Sequence, residues 1–99
     1  MQGLDVAEHK NHKIRLIFII NGQDYPIEVS AEAPLLGAVQ DALQVSGNTG
    51  RPADEWEVRD AKGVLLDKNR TIESLHLHNG ARLFLSLRVG AGGIGQNRR

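Results

Sequence analysis

IRLIFIINGQDYPIEV, residues 14–29, is the stretch that decides the fold of this 99-residue chain. Residues 14–20 are mostly apolar and rich in β-branched side chains, which is typical of a central strand. Asn21 and Gly22 follow, and this dipeptide is favoured in a two-residue type I′ turn. We therefore predict a β-hairpin whose second strand covers residues 25–29.

The turn also predicts the register of the hairpin. A two-residue loop places Ile20 opposite Gln23, and the same register places Arg15 opposite Glu28. One face of the hairpin then becomes wholly apolar, and the other carries an opposite-charge pair. A slip of one residue would bury Glu28. Because Pro26 has no N–H for a ladder hydrogen bond, we expect the second strand at an edge of the sheet.

A single helix is predicted after the hairpin. Pro34 suits the first helical position, where a missing N–H has no cost. Leu36, Val39 and Leu43 recur at helical spacing and indicate the face that packs on the core. Gly47 is the expected C-terminal cap.

Three more strands are predicted, at residues 56–59, 64–66 and 83–88, with a single helical turn at residues 72–75. One amphipathic helix must cover one face of the sheet, so the chain should form an α+β fold. We expect a mixed five-stranded sheet with one helix packed across it, a β-grasp roll. The most apolar strands, the first and the last, should lie in its centre.

Composition excludes several classes of function. The formal net charge is zero, so bulk electrostatics suggest neither nucleic acid nor an anionic membrane as a partner. Cysteine is absent, which removes disulfides, thiolate catalysis and zinc–thiolate sites. No run reaches the ~18 apolar residues of a membrane helix, and residues 1–13 contain no apolar signal segment. We therefore expect a cytoplasmic protein.

Signals of catalysis and of metal binding are weak. The serines lack the G-x-S-x-G setting of a nucleophile, and no phosphate-binding glycine loop follows a strand. His9 and His12, and likewise His76 and His78, are close enough in sequence for a metal site, but no carboxylate cluster accompanies them. We expect surface histidines, no metal and no enzymatic activity.

The run of residues 69–88 resembles ubiquitin in its pattern. Ubiquitin has identical or nearly identical residue types at the positions that match the following residues of this chain: Arg70, Thr71, Ile72, Leu83, Leu85, Leu87 and Arg88. The resemblance extends over roughly residues 14–93. In the loop and strand of residues 47–67, and in the VGAGG segment of residues 89–93, the chain looks like ubiquitin-like proteins of bacterial ubiquitination-like operons. Such operons also encode activating (E1-like), conjugating (E2-like) and deconjugating-peptidase proteins.

This resemblance implies a protein modifier precursor. A flexible arm, residues 1–12, would precede the ubiquitin-like domain of residues 13–88, and a flexible tail, residues 89–99, would follow it. A peptidase would remove the stub of residues 94–99, which begins at Ile94, and expose the carboxylate of Gly93. Cleavage after Gly92 or Gly95 is the alternative.

The exposed glycine would then be activated with ATP by the partner enzyme and transferred to a protein target, most simply to a lysine amine. The protein itself would need no cofactor and would be a monomer. Extended glycine-rich chain passes through a narrow channel because it lacks Cβ atoms, and residues 89–93 span at most ~17 Å. We expect the processing and activating enzymes to recognise Arg88, Val89, Gly90 and Ala91. Ubiquitin has an arginine where this chain has Gly90, which suggests a dedicated activating enzyme.

A partner-binding surface is predicted on the face of the sheet away from the helix. Strand alternation places Ile17, Ile19, Phe84 and Ser86 there. The alternative is that the N-terminal arm covers Ile17 and Ile19. Four lysines are candidate acceptors for another copy's tail, or simply exposed side chains: Lys10, Lys13, Lys62 and Lys68.

Two other functions remain open. A β-grasp sulfur carrier would use its terminal glycine as a thiocarboxylate, although such carriers usually end at the glycine pair. A non-conjugated ubiquitin-like interaction domain would act only through its surface.

Overall fold

The computed structural model of the chain describes residues 12–88. The predicted tail of residues 89–99 and residues 1–11 of the predicted arm lie outside these described residues. The elements, in chain order, are β1 (Lys13–Ile20), β2 (Gln23–Ser30), α1 (Leu35–Val45), a 3₁₀ turn (Ala53–Glu55), β3 (Trp56–Arg59), a second 3₁₀ turn (Glu73–Leu75) and β4 (Ala81–Leu87).

The β1–β2 hairpin has the predicted turn and register. Asn21 and Gly22 both have positive φ, 52° and 80°, as a type I′ turn requires. Ile20 lies opposite Gln23, and Arg15 lies opposite Glu28. The local turn chemistry and the apolar alternation agree, so both predictions are confirmed.

Within the described residues, the sheet contains four strands in the order β2-β1-β4-β3. β1 and β4 are parallel neighbours in its centre, and β2 with Pro26 lies at an edge, as predicted.

The predicted fifth strand at residues 64–66 is wrong. Only one isolated bridge forms, between Leu65 and Arg59. The Asp60 carboxylate accepts hydrogen bonds from the backbone N–H groups of Lys62 and Val64, both at 2.9 Å. These two bonds hold the backbone in a turn, so the segment pairs with β3 over too short a distance to make a strand.

Helix α1 begins one residue later than predicted. Pro34 is the N-cap residue, with extended backbone (φ −65°, ψ 148°), and Leu35 is the first helical residue. Accordingly Leu35 is fully buried, and Leu36, which was predicted for the core, is only partly buried. Val39 and Leu43 face the core as expected.

The C-terminus of α1 forms a Schellman motif. The N–H of Asn48 donates to the Leu43 carbonyl at 2.8 Å, and the N–H of Gly47 donates to the Gln44 carbonyl at 3.2 Å. Gly47 has φ 78°, which a residue with a Cβ rarely adopts. The predicted glycine cap is therefore confirmed.

The hydrophobic core lies between one face of the sheet and α1. Its largest fully buried side chains include Phe18, Leu16 and Leu83, all on the central strands. Trp56 is also buried, and its indole N–H has no hydrogen-bond acceptor among the described residues. Within residues 12–88, no helix has the length and apolar character needed to cross a bilayer.

Candidate functional site

The face of the sheet opposite α1 carries the predicted surface residues. Ile17, Ile19 and Phe84 point to this face by strand alternation, and Ile19 lies directly beside Phe84 in the parallel ladder. Ile19 is only 9% exposed and lies outside the main core cluster, whereas Phe84 is 42% exposed. The structure therefore brings these residues together, with the Phe84 ring as the exposed apolar group.

Charged side chains border this apolar surface on two sides. On β3, Arg59 donates to the Glu57 carboxylate at 2.9 Å, and Arg59 also lies opposite Phe84. On the other side, Arg82 of β4 approaches Asp24 of β2 at 3.5 Å. Ser86, which is exposed, lies opposite Glu57. The surface is thus a narrow apolar strip with ion pairs on both borders.

A second group of residues surrounds the point where β4 ends. The backbone N–H of Arg88 donates to the Glu55 carbonyl at 2.8 Å. The Arg88 guanidinium donates to the Asp54 carbonyl at 3.3 Å. Both bonds attach Arg88, the residue before the predicted tail, to the segment of residues 53–56, which contains the first 3₁₀ turn and the first residue of β3.

Lys68 binds the same segment from the other side. Its ammonium group donates to the carbonyl of Ala53 at 3.0 Å, to that of Asp54 at 3.3 Å and to that of Trp56. Burial lowers the pKa of Lys68; the negative charge of Asp54 acts against this shift, and the positive charge of Arg88 adds to it.

A shallow cleft of about 250 Å³ adjoins these groups. Its apolar wall comes from α1, from the start of β3 and from the segment that precedes Lys68. The lining residues include Leu36, Trp56, Leu65, Leu66, Lys68 and Arg88. Sequence reasoning missed this cleft, because its walls come from four separate parts of the chain.

The remaining predicted site residues fall into two sets. Lys13 and Lys62 are exposed, whereas Lys68 is partly buried. The other set lies outside the described residues and consists of Lys10, Val89, Gly90, Ala91, Gly92, Gly93 and Ile94. His76 and His78 are exposed, and residues 12–88 contain no group of three side chains that could hold a metal ion.

The chain has a ubiquitin-like fold. A de novo design based on ubiquitin superposes with a TM-score of 0.68 at 18% identity, covering 85% of this chain and 96% of the design. Ubiquitin of Caldiarchaeum subterraneum gives a TM-score of 0.64 at 20% identity, covering 85% and 99%. A ubiquitin-like domain from Arabidopsis thaliana gives 0.62 at 12% identity, covering 88% and 85%. These similarities establish the fold alone.

Sequence comparison gives the family. Residues 9–93 match the family described as "Protein of Unknown function (DUF2604)", and the chain belongs to this family. A curated relative, "Uncharacterized protein y4jI" of Sinorhizobium fredii, is 37% identical over 81 residues, or 82% of this chain. The chain spans 62% of the length of that relative.

Proposed function

We propose that the protein is a ubiquitin-like protein modifier precursor. The observation that carries the proposal is the position of the glycine-rich segment. The central strand β4 of a ubiquitin-like fold ends at Leu87, Arg88 is attached to the body of the domain, and the sequence VGAGG follows at once. A carboxylate released in this segment would lie at the end of an extended, Cβ-poor chain.

The proposed chemistry has three steps, all catalysed by partner proteins. A peptidase hydrolyses the Gly93–Ile94 peptide bond and releases residues 94–99. An activating enzyme joins the Gly93 carboxylate to AMP from ATP, with pyrophosphate as the leaving group. A conjugating enzyme then accepts the glycine acyl group, with AMP as the leaving group, and passes it to a lysine amine of a target, forming an isopeptide bond.

Recognition by these partners would use two parts of the domain. Arg88 and residues 89–91 would enter the processing and activating enzymes together with the tail. Ile17, Ile19, Phe84 and Ser86 would form the surface that binds the enzyme bodies, because Phe84 is an exposed aromatic ring in an apolar strip bordered by ion pairs. The resemblance to bacterial operon proteins supports a dedicated set of such partners in a bacterial cytoplasm.

Intact-mass measurement of the protein recovered from its native host tests the proposal. We expect a species that lacks residues 94–99, together with heavier covalent adducts. Replacing Gly92 and Gly93 together by Val should abolish both species, because bulky side chains block a narrow channel. Gln96→Ala is the matched control within the stub and should still be processed.

The same measurement distinguishes the two alternatives. A sulfur carrier would show one oxygen replaced by sulfur at the glycine terminus. A non-conjugated interaction domain would keep its full mass and would tolerate the double valine variant, and this result would refute the proposed function.

A further inference from the structure

The 3₁₀ turn Ala53–Glu55 leaves backbone carbonyl groups that it cannot satisfy itself. The turn makes two backbone hydrogen bonds, from Glu55 N–H to the Pro52 carbonyl at 3.0 Å and from Trp56 N–H to the Ala53 carbonyl. The carbonyl groups of Asp54 and Trp56 accept from the Lys68 side chain, and the Ala53 carbonyl accepts from it as a second donor. At Asp54 and Trp56, Lys68 therefore supplies donors that a longer helix or a neighbouring strand would otherwise supply.

Three acceptors define the protonation state of Lys68. An ammonium group has three N–H donors and a neutral amine has only two, so only the charged form donates to all three carbonyl groups at once. Before the Lys68 nitrogen can attack an electrophile, it must lose a proton and give up at least one of these hydrogen bonds. Lys68 is also less exposed than Lys13 and Lys62.

The segment that Lys68 binds also binds Arg88, the residue before the tail. The Asp54 carbonyl accepts from both Lys68 and the Arg88 guanidinium, each at 3.3 Å. The neighbouring Glu55 carbonyl accepts the backbone N–H of Arg88 at 2.8 Å. If the segment shifted, both bonds of Arg88 would shift with it.

We propose that Lys68 is a positioning residue that fixes Arg88, the residue before the C-terminal tail, and that these hydrogen bonds make Lys68 less open to acylation than the exposed lysines. The first part concerns how the tail is presented to its enzymes and rests on the proposed function. The second part rests on the geometry alone.

Acylation of the folded full-length chain tests the second part. The probe is the N-hydroxysuccinimide ester of acetic acid at low modification levels, with peptide mapping by mass spectrometry. We expect the acylation rate of Lys68 to be at least about tenfold lower than the rates of Lys13 and Lys62, because Lys68 reacts only when the local structure around it opens. In urea the three rates should converge. Equal rates in the folded chain would overturn the proposal.

Amide hydrogen exchange tests the first part without any partner enzyme. Lys68→Met keeps the length of the side chain but removes its donors, so the Arg88 amide should exchange roughly tenfold faster. The Leu83 amide, in the centre of the sheet, should keep its rate. Lys68→Arg keeps charge and donors and should restore part of the protection, whereas Lys62→Met, a loss of charge at an exposed lysine, should change nothing. An unchanged Arg88 amide in Lys68→Met would refute the positioning role.

Processing in the native host connects the two parts. Lys68→Met should lower the fraction of chain that loses residues 94–99, Lys68→Arg should recover part of it, and Lys62→Met should match the wild type. If the wild type is not processed at all, the proposed function fails, while the acylation and exchange results still decide the geometry of Lys68. If wild type and Lys68→Met are processed equally, the proposed function survives and the role of Lys68 in presenting the tail is excluded.

Discussion

At the scale of single residues, Gly22 and Gly37 have equally open surroundings but different backbone conformations. An added Cβ would meet no atom within 4 Å at either position. Gly22, however, has φ 80° in the hairpin turn, whereas Gly37 lies in the regular helix α1. The backbone alone should therefore decide the effect of a side chain.

Replacing each glycine by alanine measures that effect. Gly22→Ala should lower the free energy of unfolding by about 1 kcal/mol, since left-handed backbone is strained for L-residues. Gly37→Ala should raise it by about 0.5–1 kcal/mol through higher helix propensity. Urea unfolding of the two variants beside the wild type provides the measurement. Changes of the same sign would contradict this assignment of the turn and the helix.

Phe84 and its neighbour Leu83 are a second informative pair, because they point to opposite faces of β4. Leu83 is fully buried, so Leu83→Ala should cost about 2–5 kcal/mol. Phe84 is 42% exposed, and Phe84→Ala should cost no more than about 1 kcal/mol. Thermal unfolding checks both values. Covalent adduct formation in the native host should decrease in the Phe84 variant although it stays folded; global unfolding of that variant would overturn the surface assignment.

Residues that follow a strict local pattern could be placed from the sequence, and residues that act across the fold could not. The outward direction of Ile19 and Phe84 follows from strand alternation. The role of Lys68 does not follow from any pattern, because its three acceptors lie 12–15 residues away and are backbone atoms. The cleft beside it depends on the same long-range packing and was likewise beyond sequence reasoning.

At the scale of secondary-structure elements, the hairpin was predictable and the segment of residues 60–66 was not. In the hairpin, turn chemistry, apolar alternation and charge pairing all require one register. Residues 64–66 have the apolar composition of a strand, yet the Asp60 side chain satisfies two backbone N–H groups and favours a turn. Composition alone does not show which of these two local preferences prevails.

The outer edge of β2 offers a prediction at this scale. In a two-residue hairpin the Ile20–Gln23 pair is hydrogen-bonded, so alternate β2 residues, including Asp24, Pro26 and Glu28, direct their backbone groups away from β1. Proline and acidic residues at those positions are typical of edges protected against further strand pairing.

Removing that protection should cause self-association. Pro26→Thr combined with Glu28→Thr restores an outward N–H and removes a charge, and we expect dimers or larger species that increase with concentration. Light scattering after size-exclusion chromatography gives the measurement. Gln23→Thr, a change at a position that faces β1, is the control and should remain monomeric. A monomeric double variant at high concentration would show that these two residues are not what keeps the edge unpaired.

At the scale of the whole molecule, the described residues form one continuous core with a ubiquitin-like fold. Buried residues from both central strands, from α1 and from β3 belong to one cluster. The overall fold could be predicted because each element has a clear period and one helix can cover only one face. The tail residues that would carry the chemistry lie beyond residue 88, so Gly92 and Gly93 remain predictions from sequence.

Deletion of the flanking segments tests the independence of this core. A chain limited to residues 12–88 should unfold cooperatively, with a Tm within about 4 °C of the full-length protein, a difference that corresponds to less than 1 kcal/mol for a domain of this size. Calorimetry compares the two directly. A much lower Tm on deleting residues 1–11 alone would instead support the alternative in which the N-terminal arm covers Ile17 and Ile19.

The parallel pairing of β1 with β4 has a mechanical consequence. Leu16–Ile20 and Ala81–Leu85 are aligned side by side, and the two ends of the domain leave this ladder in opposite directions. A force that pulls on both termini would shear all of its hydrogen bonds at the same time, instead of opening them one after another as in a zipper. A motor protein that unfolds its substrates by pulling would therefore meet its greatest resistance in the centre of this sheet.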